Sequence, residues 1–216
     1  MSLERQYKDL YSEVLVETSK RLREYIAEIF ADIERVDAIT ARAKAPDRFF
    51  VKASKLTSDG KPKYTDPINE IQDQIGARIT VFYLPDVKNA RKIIERYFNY
   101  IEFQSKYPEN NSEFGYFGEH MILKLPDDII KDNQADRCPE FFELQIKTLF
   151  QHAWSEAHHD LGYKAPRPLT PLEERQVAFS AAQAWGADQI FDQLRKSVLS
   201  SLVSGDGEAP KADGTP

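Results

Sequence analysis

Cysteine is almost missing from this chain of 216 residues: Cys138 is its only one. A lone thiol closes no intrachain disulfide and cannot by itself anchor a zinc site. Neither a Walker pattern nor Gly-x-Ser-x-Gly occurs, which excludes P-loop phosphate binding and the nucleophile elbow of a serine hydrolase. No stretch approaches the roughly 18–20 consecutive apolar residues that a membrane span requires. The opening segment MSLERQYKDLYSEV is charged and lacks an apolar signal core, so a protein that is not exported, in a reducing cytoplasm, is expected. Positive charge is not in excess either: 29 Lys and Arg stand against 35 Asp and Glu, a net −6. That balance argues against sequence-independent binding to nucleic acid over a broad surface. It leaves room for a local basic pocket, and Arg42, Lys44, Arg48, Lys52 and Lys55 crowd one short stretch.

What is present is ordinary in bulk, with a hydrophobic share of 41% and a charged share of 30%, as in soluble globular proteins. The length is that of one well-cored domain with appended helices. A single domain over residues 1–203 is expected, followed by a tail at 204–216 (SGDGEAPKADGTP) that is too poor in apolar residues to order. Leu10, Val14, Leu22, Tyr25, Ile26, Ile29 and Ile33 recur near a 3.6-residue period; the spacing predicts one long helix over residues 3–35, or two that are closely linked. The β-branched run VDAITARA (36–43) predicts a strand. Pro46 opens a helix to about Leu56, and Asp66-Pro67 opens another that ends at Gly76 as a C-cap. ARITVFYL (77–84) reads as a strand, followed by an Asp86-capped helix to about Phe98. Further strands are predicted at Tyr100–Ser105, Tyr116–Leu125 and Glu140–Lys147, and helices at Thr148–Leu161 and Pro171–Ser201. Mixed strands flanked by helices give an α+β or α/β-type domain.

The chemistry-bearing residues fall into short constellations. In Arg42-x-Lys44-x-x-x-Arg48-x-x-x-Lys52, basic residues leave a strand and continue on one helix face, since Arg48 and Lys52 are four apart. A polyanion would relieve their mutual repulsion, and Arg forks with Lys point charges suit a triphosphate; the run also fits a solvated helix face. Asp73-x-x-Gly76-x-Arg78 stands where a helix gives way to a strand, with Asp73 a candidate metal ligand and Arg78 facing the same cleft or lying on an edge strand. Alternation in Glu143-Leu-Gln145-Ile-Lys147 puts an acid, an amide and a base on one sheet face, either the floor of a site or a half-exposed surface. In Gly115-Tyr116-Phe117-Gly118-Glu119-His120, Tyr116 and His120 share a strand side and offer a platform for a planar base, or plain packing. His152, Glu156 and His159 share a helix face, but the His-Glu-x-x-His pattern of a zinc protease is absent.

Together, and in this order, these segments resemble the synthetase domain of RelA/SpoT-type (p)ppGpp synthetases, as found in the small single-domain alarmone synthetases. The matching stretch runs from about Arg42 to Lys164, with no hydrolase domain expected ahead of it. Its most specific part is Glu143-Leu-Gln145-Ile-Lys-Thr148 followed by His152-Ala-Trp154-Ser-Glu156-Ala-His-His159-Asp-Leu-Gly-Tyr163-Lys164. The resemblance implies a nucleotidyltransferase-like mixed β-sheet flanked by helices, with long N- and C-terminal helices that assemble a homo-oligomer, a tetramer being favoured. It implies an Mg²⁺-dependent pyrophosphokinase that moves pyrophosphate from ATP to the 3′-hydroxyl of GDP or GTP. By position, Arg42, Lys44, Arg48, Lys52 and Arg78 would hold ATP; Asp73 and Glu143 would be the catalytic metal carboxylates; and Tyr116, His120, Gln145 and Lys147 would form the acceptor site. The chain departs from the family pattern at Arg48, where Ser is usual, at Phe117-Gly118-Glu119, and at Ser112-Glu113-Phe114 in place of Lys-x-Asn. The acceptor therefore stays open among a guanine nucleotide, another nucleotide such as an adenine nucleotide, and the 3′ end of tRNA, as in toxin relatives. A catalytically silent nucleotide-binding regulator is the further alternative.

Overall fold

In the computed structural model, residues 2–106, 110, 113–115, 118–164 and 167–203 are described; the expected tail and Tyr116 lie outside them. The periodic N-terminal segment begins as helix α1 (Leu3–Leu10), where the Ser2 hydroxyl accepts from the Arg5 amide at 3.4 Å. It does not continue as a single regular helix. A π turn over Tyr11–Leu15 precedes α2 (Val16–Ile29). The wider turn slips the register, so that the adjacent residues Val14 and Leu15 are both buried while Tyr7, Leu10, Leu22 and Ile26 stay on the core side.

Strand β1 covers Val36–Ala43, and α3 (Pro46–Ala53) starts on its proline, whose missing amide costs nothing in a first turn. The expected helix from Pro67 to Gly76 is corrected. Helix α4 is a single turn (Pro67–Glu70); Ile71 turns extended, a 3₁₀ turn follows at Gln72–Gln74, and Gly76 lies inside strand β2 (Ile75–Val81). Gly76 is no left-handed cap, since Gly60 is the one described glycine with positive φ. Burial decides the boundary: Ile75, Ala77, Ile79 and Val81 all go into the core, and a helix there would turn half of them outward. Asp86 is not the N-cap of α5 (Leu84–Tyr97) but sits in its first turn, where its carboxylate accepts from the Tyr83 amide at 3.3 Å and from Arg35 Nε at 3.2 Å.

The remaining elements are β3 (Tyr100–Lys106), β4 (Gly118–Lys124), β5 (Phe141–Thr148), α6 (Leu149–Lys164) and α7 (Pro171–Val203). The strands form one five-stranded mixed sheet in the order β1-β2-β5-β4-β3, parallel only between β2 and β5. The domain is therefore α+β, as the sequence patterning predicts. One sheet face is apolar: Ala77 pairs with Leu144, Ile79 with Ile146, and Met121 with Leu144. Rings of Tyr25 on α2, Phe98 after α5 and Phe142 on β5 stack edge to face over it at 5.5–5.7 Å. The other face is polar and is covered at one end by α6, on which α7 packs.

The join between sheet and α7 is polar and buried. Thr148 Oγ1 donates to Asp188 Oδ2 at 2.9 Å, and Asp188 is 2% exposed. Burial raises its carboxyl from 3.8 to about 6, with the Thr148 hydrogen bond pulling the other way. The folded chain thus binds a proton here that the unfolded chain has released, so stability should fall as pH rises from about 4 to about 6. Urea unfolding at those two pH values should show this slope in the native protein and a flatter one in Asp188→Asn, which keeps an acceptor for Thr148. Identical slopes would mean that Asp188 does not titrate in this window.

Candidate functional site

Sheet register brings the polar residues together. Thr40 of β1 pairs with Arg78, Arg78 with Gln145, Gln145 with His120, and His120 with Gln104. One step along, Arg42 pairs with Gly76 and Gly76 with Glu143. Alternation then sets Arg42, Arg78, Glu143, Gln145 and His120 on the same face. Gly76 leaves a notch between Arg42 and Glu143: a Cβ built on it would meet nothing within 4 Å. A cleft of about 610 Å³ opens over this row, closed on its other sides by Lys44, Arg48, Val51, Lys52 and Lys55 from the β1–α3 segment, by Asp73, and by His159 of α6.

Four cations of the cleft, Lys44, Lys52, Arg78 and Arg48, are each set against an acceptor. Asp73 Oδ2 takes Lys52 Nζ at 2.8 Å and Lys44 Nζ at 3.0 Å, while Asp73 Oδ1 is buried with no hydrogen-bond partner. The Lys44 backbone is fixed from both sides, its amide donating to Gln74 O at 2.7 Å and its carbonyl accepting from Tyr7 Oη at 2.8 Å. Arg78 Nη1 donates to Glu156 Oε1 at 2.6 Å. Burial would raise the Glu156 carboxyl, but the Arg78 guanidinium outweighs it and holds the group below its ordinary value, ionised at neutral pH. Arg48 Nη1 lies 3.1 Å from His159 Nε2. Burial and then the Arg48 charge depress the His159 pKa, so the ring is neutral near pH 7 and its Nε2 accepts from the guanidinium.

Glu143 is held by both oxygens. His120 Nδ1 stands 2.8 Å from Oε1, and Gln145 Nε2 donates to Oε2 at 3.1 Å. His120 itself is 8% exposed. The arrangement fixes one carboxylate at the floor of a cleft whose far wall is cationic, with an unsatisfied carboxylate oxygen of Asp73 beside it. Such a site can hold a polyphosphate and orient a base toward it.

The sequence-predicted residues Arg42, Lys44, Arg48, Lys52, Asp73, Arg78, Glu143 and Gln145 all line this one cleft, and His120 reaches it through Glu143. Lys147 does not join them: it is 3% exposed beneath α6, donating to Ser155 Oγ at 3.1 Å. Its strand parity is that of Glu143, but the helix covers that end of the face. Tyr116 lies outside the described residues. The His152, Glu156 and His159 set on α6 turns out to serve the arginines, with Glu156 on Arg78 and His159 on Arg48. Their shared helix face was visible in the sequence; that the face closes over the basic strand depends on tertiary packing.

The family described as "Region found in RelA / SpoT proteins" matches residues 41–167. The chain is 22% identical over 172 residues to the GTP pyrophosphokinase YjbM of Bacillus subtilis (strain 168), spanning 77% of this chain and 75% of that protein. Its fold is similar to that of a GTP pyrophosphokinase family protein from Streptococcus pneumoniae, with TM-score 0.69, 20% identity, and coverage of 93% and 97% of the two chains. It is also similar to small alarmone synthetase 1 from Bacillus subtilis bound to its product pppGpp, with TM-score 0.66, 19% identity, and coverage of 90% and 97%.

The pairing of Lys44 and Lys52 with one carboxylate has a measurable consequence. In Asp73→Asn both ammoniums lose their counter-charge, so inorganic tripolyphosphate, offered without divalent metal, should bind about tenfold more tightly, a change of ~1.4 kcal/mol. Isothermal titration checks this; unaltered affinity would mean that the two ammoniums do not face the bound anion.

Proposed function

We propose that this chain, which belongs to the RelA/SpoT family, transfers the β,γ-pyrophosphate of ATP to the 3′-hydroxyl of GDP or GTP and releases AMP. The observation that carries the reading is the meeting of Asp73 and Glu143, distant in sequence, in one cleft opposite Arg42, Lys44, Arg48, Lys52 and Arg78. ATP entering this cleft would draw Lys44 and Lys52 from Asp73 onto its phosphates. Arg42, Arg48 and Arg78 would neutralise the remaining charge, Arg48 and Arg78 from positions set by His159 and Glu156.

Mg²⁺ suits the residues present. Asp73 Oδ1 is a buried acceptor without a partner, and no three His, Cys, Asp or Glu converge as a metal cage among the described residues. That is the donor set Mg²⁺ takes, with one or two carboxylates completed by phosphate oxygens and water. Asp73 and Glu143 would hold it, and bound there it would supply neutralisation of charge on the transferring group. Glu143 also accepts the proton of the attacking 3′-hydroxyl, its carboxylate aimed by His120 and Gln145. The 3′-oxygen bonds to the β-phosphorus as the bond from that phosphorus to the bridging oxygen of AMP breaks, so the leaving charge stays beside the cationic wall. His120 and Gln145 shape the acceptor side.

A homo-oligomer, in the form of a tetramer, accords with the surface of α7. Leu172, Phe179, Ile190, Phe191, Leu194 and Val198 are all exposed there, a stripe that a lone protomer leaves in water. Among the described residues no helix is long and apolar enough to cross a membrane, and we place the protein in the cytoplasm, where ATP and GTP are abundant.

The decisive assay supplies Mg²⁺ and γ-labelled ATP with GDP, GTP, GMP or deacylated tRNA in separate reactions. Label is expected in GDP or GTP; label in RNA would instead make this a tRNA-modifying enzyme, and no transfer to any acceptor a nucleotide-binding regulator. Asp73→Asn and Glu143→Gln should each lower turnover by roughly a thousandfold or more with an unchanged circular dichroism spectrum, whereas near-native turnover in either variant refutes the assignment of the two carboxylates. Light scattering should give a multiple of the 24.9 kDa protomer, and Ile190→Asp with Leu194→Asp should reduce it to the protomer mass.

A further inference from the structure

Tyr7 is a buried aromatic residue with a polar group that packing does not require. Its side chain is fully enclosed, the ring stacked on Phe49 of α3 at 3.5 Å and set edge-on to Phe50 at 6.0 Å. A phenylalanine would fill the same space and make the same ring contacts. The hydroxyl is the difference, and a buried hydroxyl is a liability unless it finds an acceptor. Here it donates to the Lys44 carbonyl at 2.8 Å, across 37 positions of sequence. Burial, and then the negative charge of Asp73, push the phenol pKa up, so the group stays protonated and acts as a neutral donor near pH 7.

The place of the acceptor in the chain gives this bond its meaning. Strand β1 ends at Ala43 and α3 begins at Pro46, so the Lys44 carbonyl falls between two hydrogen-bond ladders. The Lys44 amide is tied to Gln74 O at 2.7 Å, in the turn that carries Asp73. Its side chain has a different anchor, the ion pair with Asp73 Oδ2 at 3.0 Å. In the proposed reaction that ion pair is the bond given up, because the donor's phosphates take the ammonium. What keeps the lysine in place afterwards is its main chain, held by Gln74 on one side and by Tyr7 on the other. A fixed main chain lowers the ordering cost that a long side chain meets on binding.

We infer that Tyr7 is a positioning residue for the donor: its hydroxyl, acting through the Lys44 carbonyl, holds the lysine where a triphosphate meets it. The N-terminal helix is then a determinant of donor affinity. The inference rests on the proposed reaction in taking this cleft as the donor's. His120 and Gln145, on the acceptor side, are held by Glu143 instead, so acceptor binding should not feel the change.

Calorimetry with the α,β-methylene analogue of ATP and Mg²⁺ reads the effect without any transfer. Tyr7→Phe keeps the stack on Phe49 and should bind the analogue about fivefold more weakly than the native chain. Where transfer is followed, KM for ATP should rise by a similar factor, while kcat and the acceptor's KM stay within about twofold of native. Because the hydroxyl acts through Lys44, the same change in a Lys44→Ala background should weaken the analogue no further. A hydroxyl that served the fold alone would lower the melting temperature and leave donor affinity of the folded protein untouched. The inference is overturned if Tyr7→Phe binds the analogue as the native chain does, if it weakens the analogue equally with and without the Lys44 side chain, or if KM for ATP and for the acceptor rise together. A native chain that binds no analogue sinks this inference and the transfer reading together. One that binds it, shows the Tyr7→Phe loss and transfers nothing supports the inference and refutes the transfer alone.

Discussion

The arrangement of the cleft depends on one ion cluster, in which a single carboxylate oxygen of Asp73 holds the ammoniums of Lys44 and Lys52. These residues come from three separate pieces: the exit of β1, the last turn of α3 and the 3₁₀ turn before β2. Packing alone would leave their relative positions loose, because each piece is short and near the surface. Tyr7 supplies the rigidity that the cluster needs. Its buried ring stacks on Phe49 of α3 at 3.5 Å while its hydroxyl holds the Lys44 carbonyl. The N-terminal helix is therefore part of the site's foundation although it contributes no group to the cleft.

The sheet then adds the second carboxylate. Because β2 and β5 run parallel and in register, Gly76 sits beside Glu143 and Arg78 beside Gln145. A shift by one residue would send Glu143 into the apolar layer with Phe142 and Leu144, which burial forbids. The hydrophobic face of β5 thus fixes the register of the polar face, and the placement of Glu143 on one side is enforced by packing on the other.

Much of this was legible in the sequence, for physical reasons that differ by element. VDAITARA and the alternating Phe142–Lys147 segment carry period-two patterns strong enough to survive tertiary context, and β1 and β5 fall within one residue of expectation. The segment from Pro67 to Gly76 misleads because Asp-Pro at its start and Gly at its end imitate helix punctuation, whereas the buried residues Ile71 and Ile75 pull the chain extended. The π turn at Tyr11–Leu15 leaves no compositional mark. In the site, the acids and bases were readable as types at motif spacing. That Lys147 would be roofed by α6, and that Glu156 and His159 would attend to arginines, required knowing where α6 lies, which no local pattern encodes.

Four basic groups of the cleft already have partners, Lys44 and Lys52 on Asp73, Arg78 on Glu156 and Arg48 on His159, so part of its donor capacity is engaged from within. A small phosphate gains less from these paired groups than a polyphosphate does, since it must compete with Asp73 for the two ammoniums and with Glu156 for Arg78. In the proposed reaction a triphosphate with a divalent counter-ion would exchange charge for charge: the phosphates would take over the ammoniums, and the ion would satisfy the carboxylate released. The internal ion pairs therefore weight the cleft toward ligands of high charge, which gain most from displacing them.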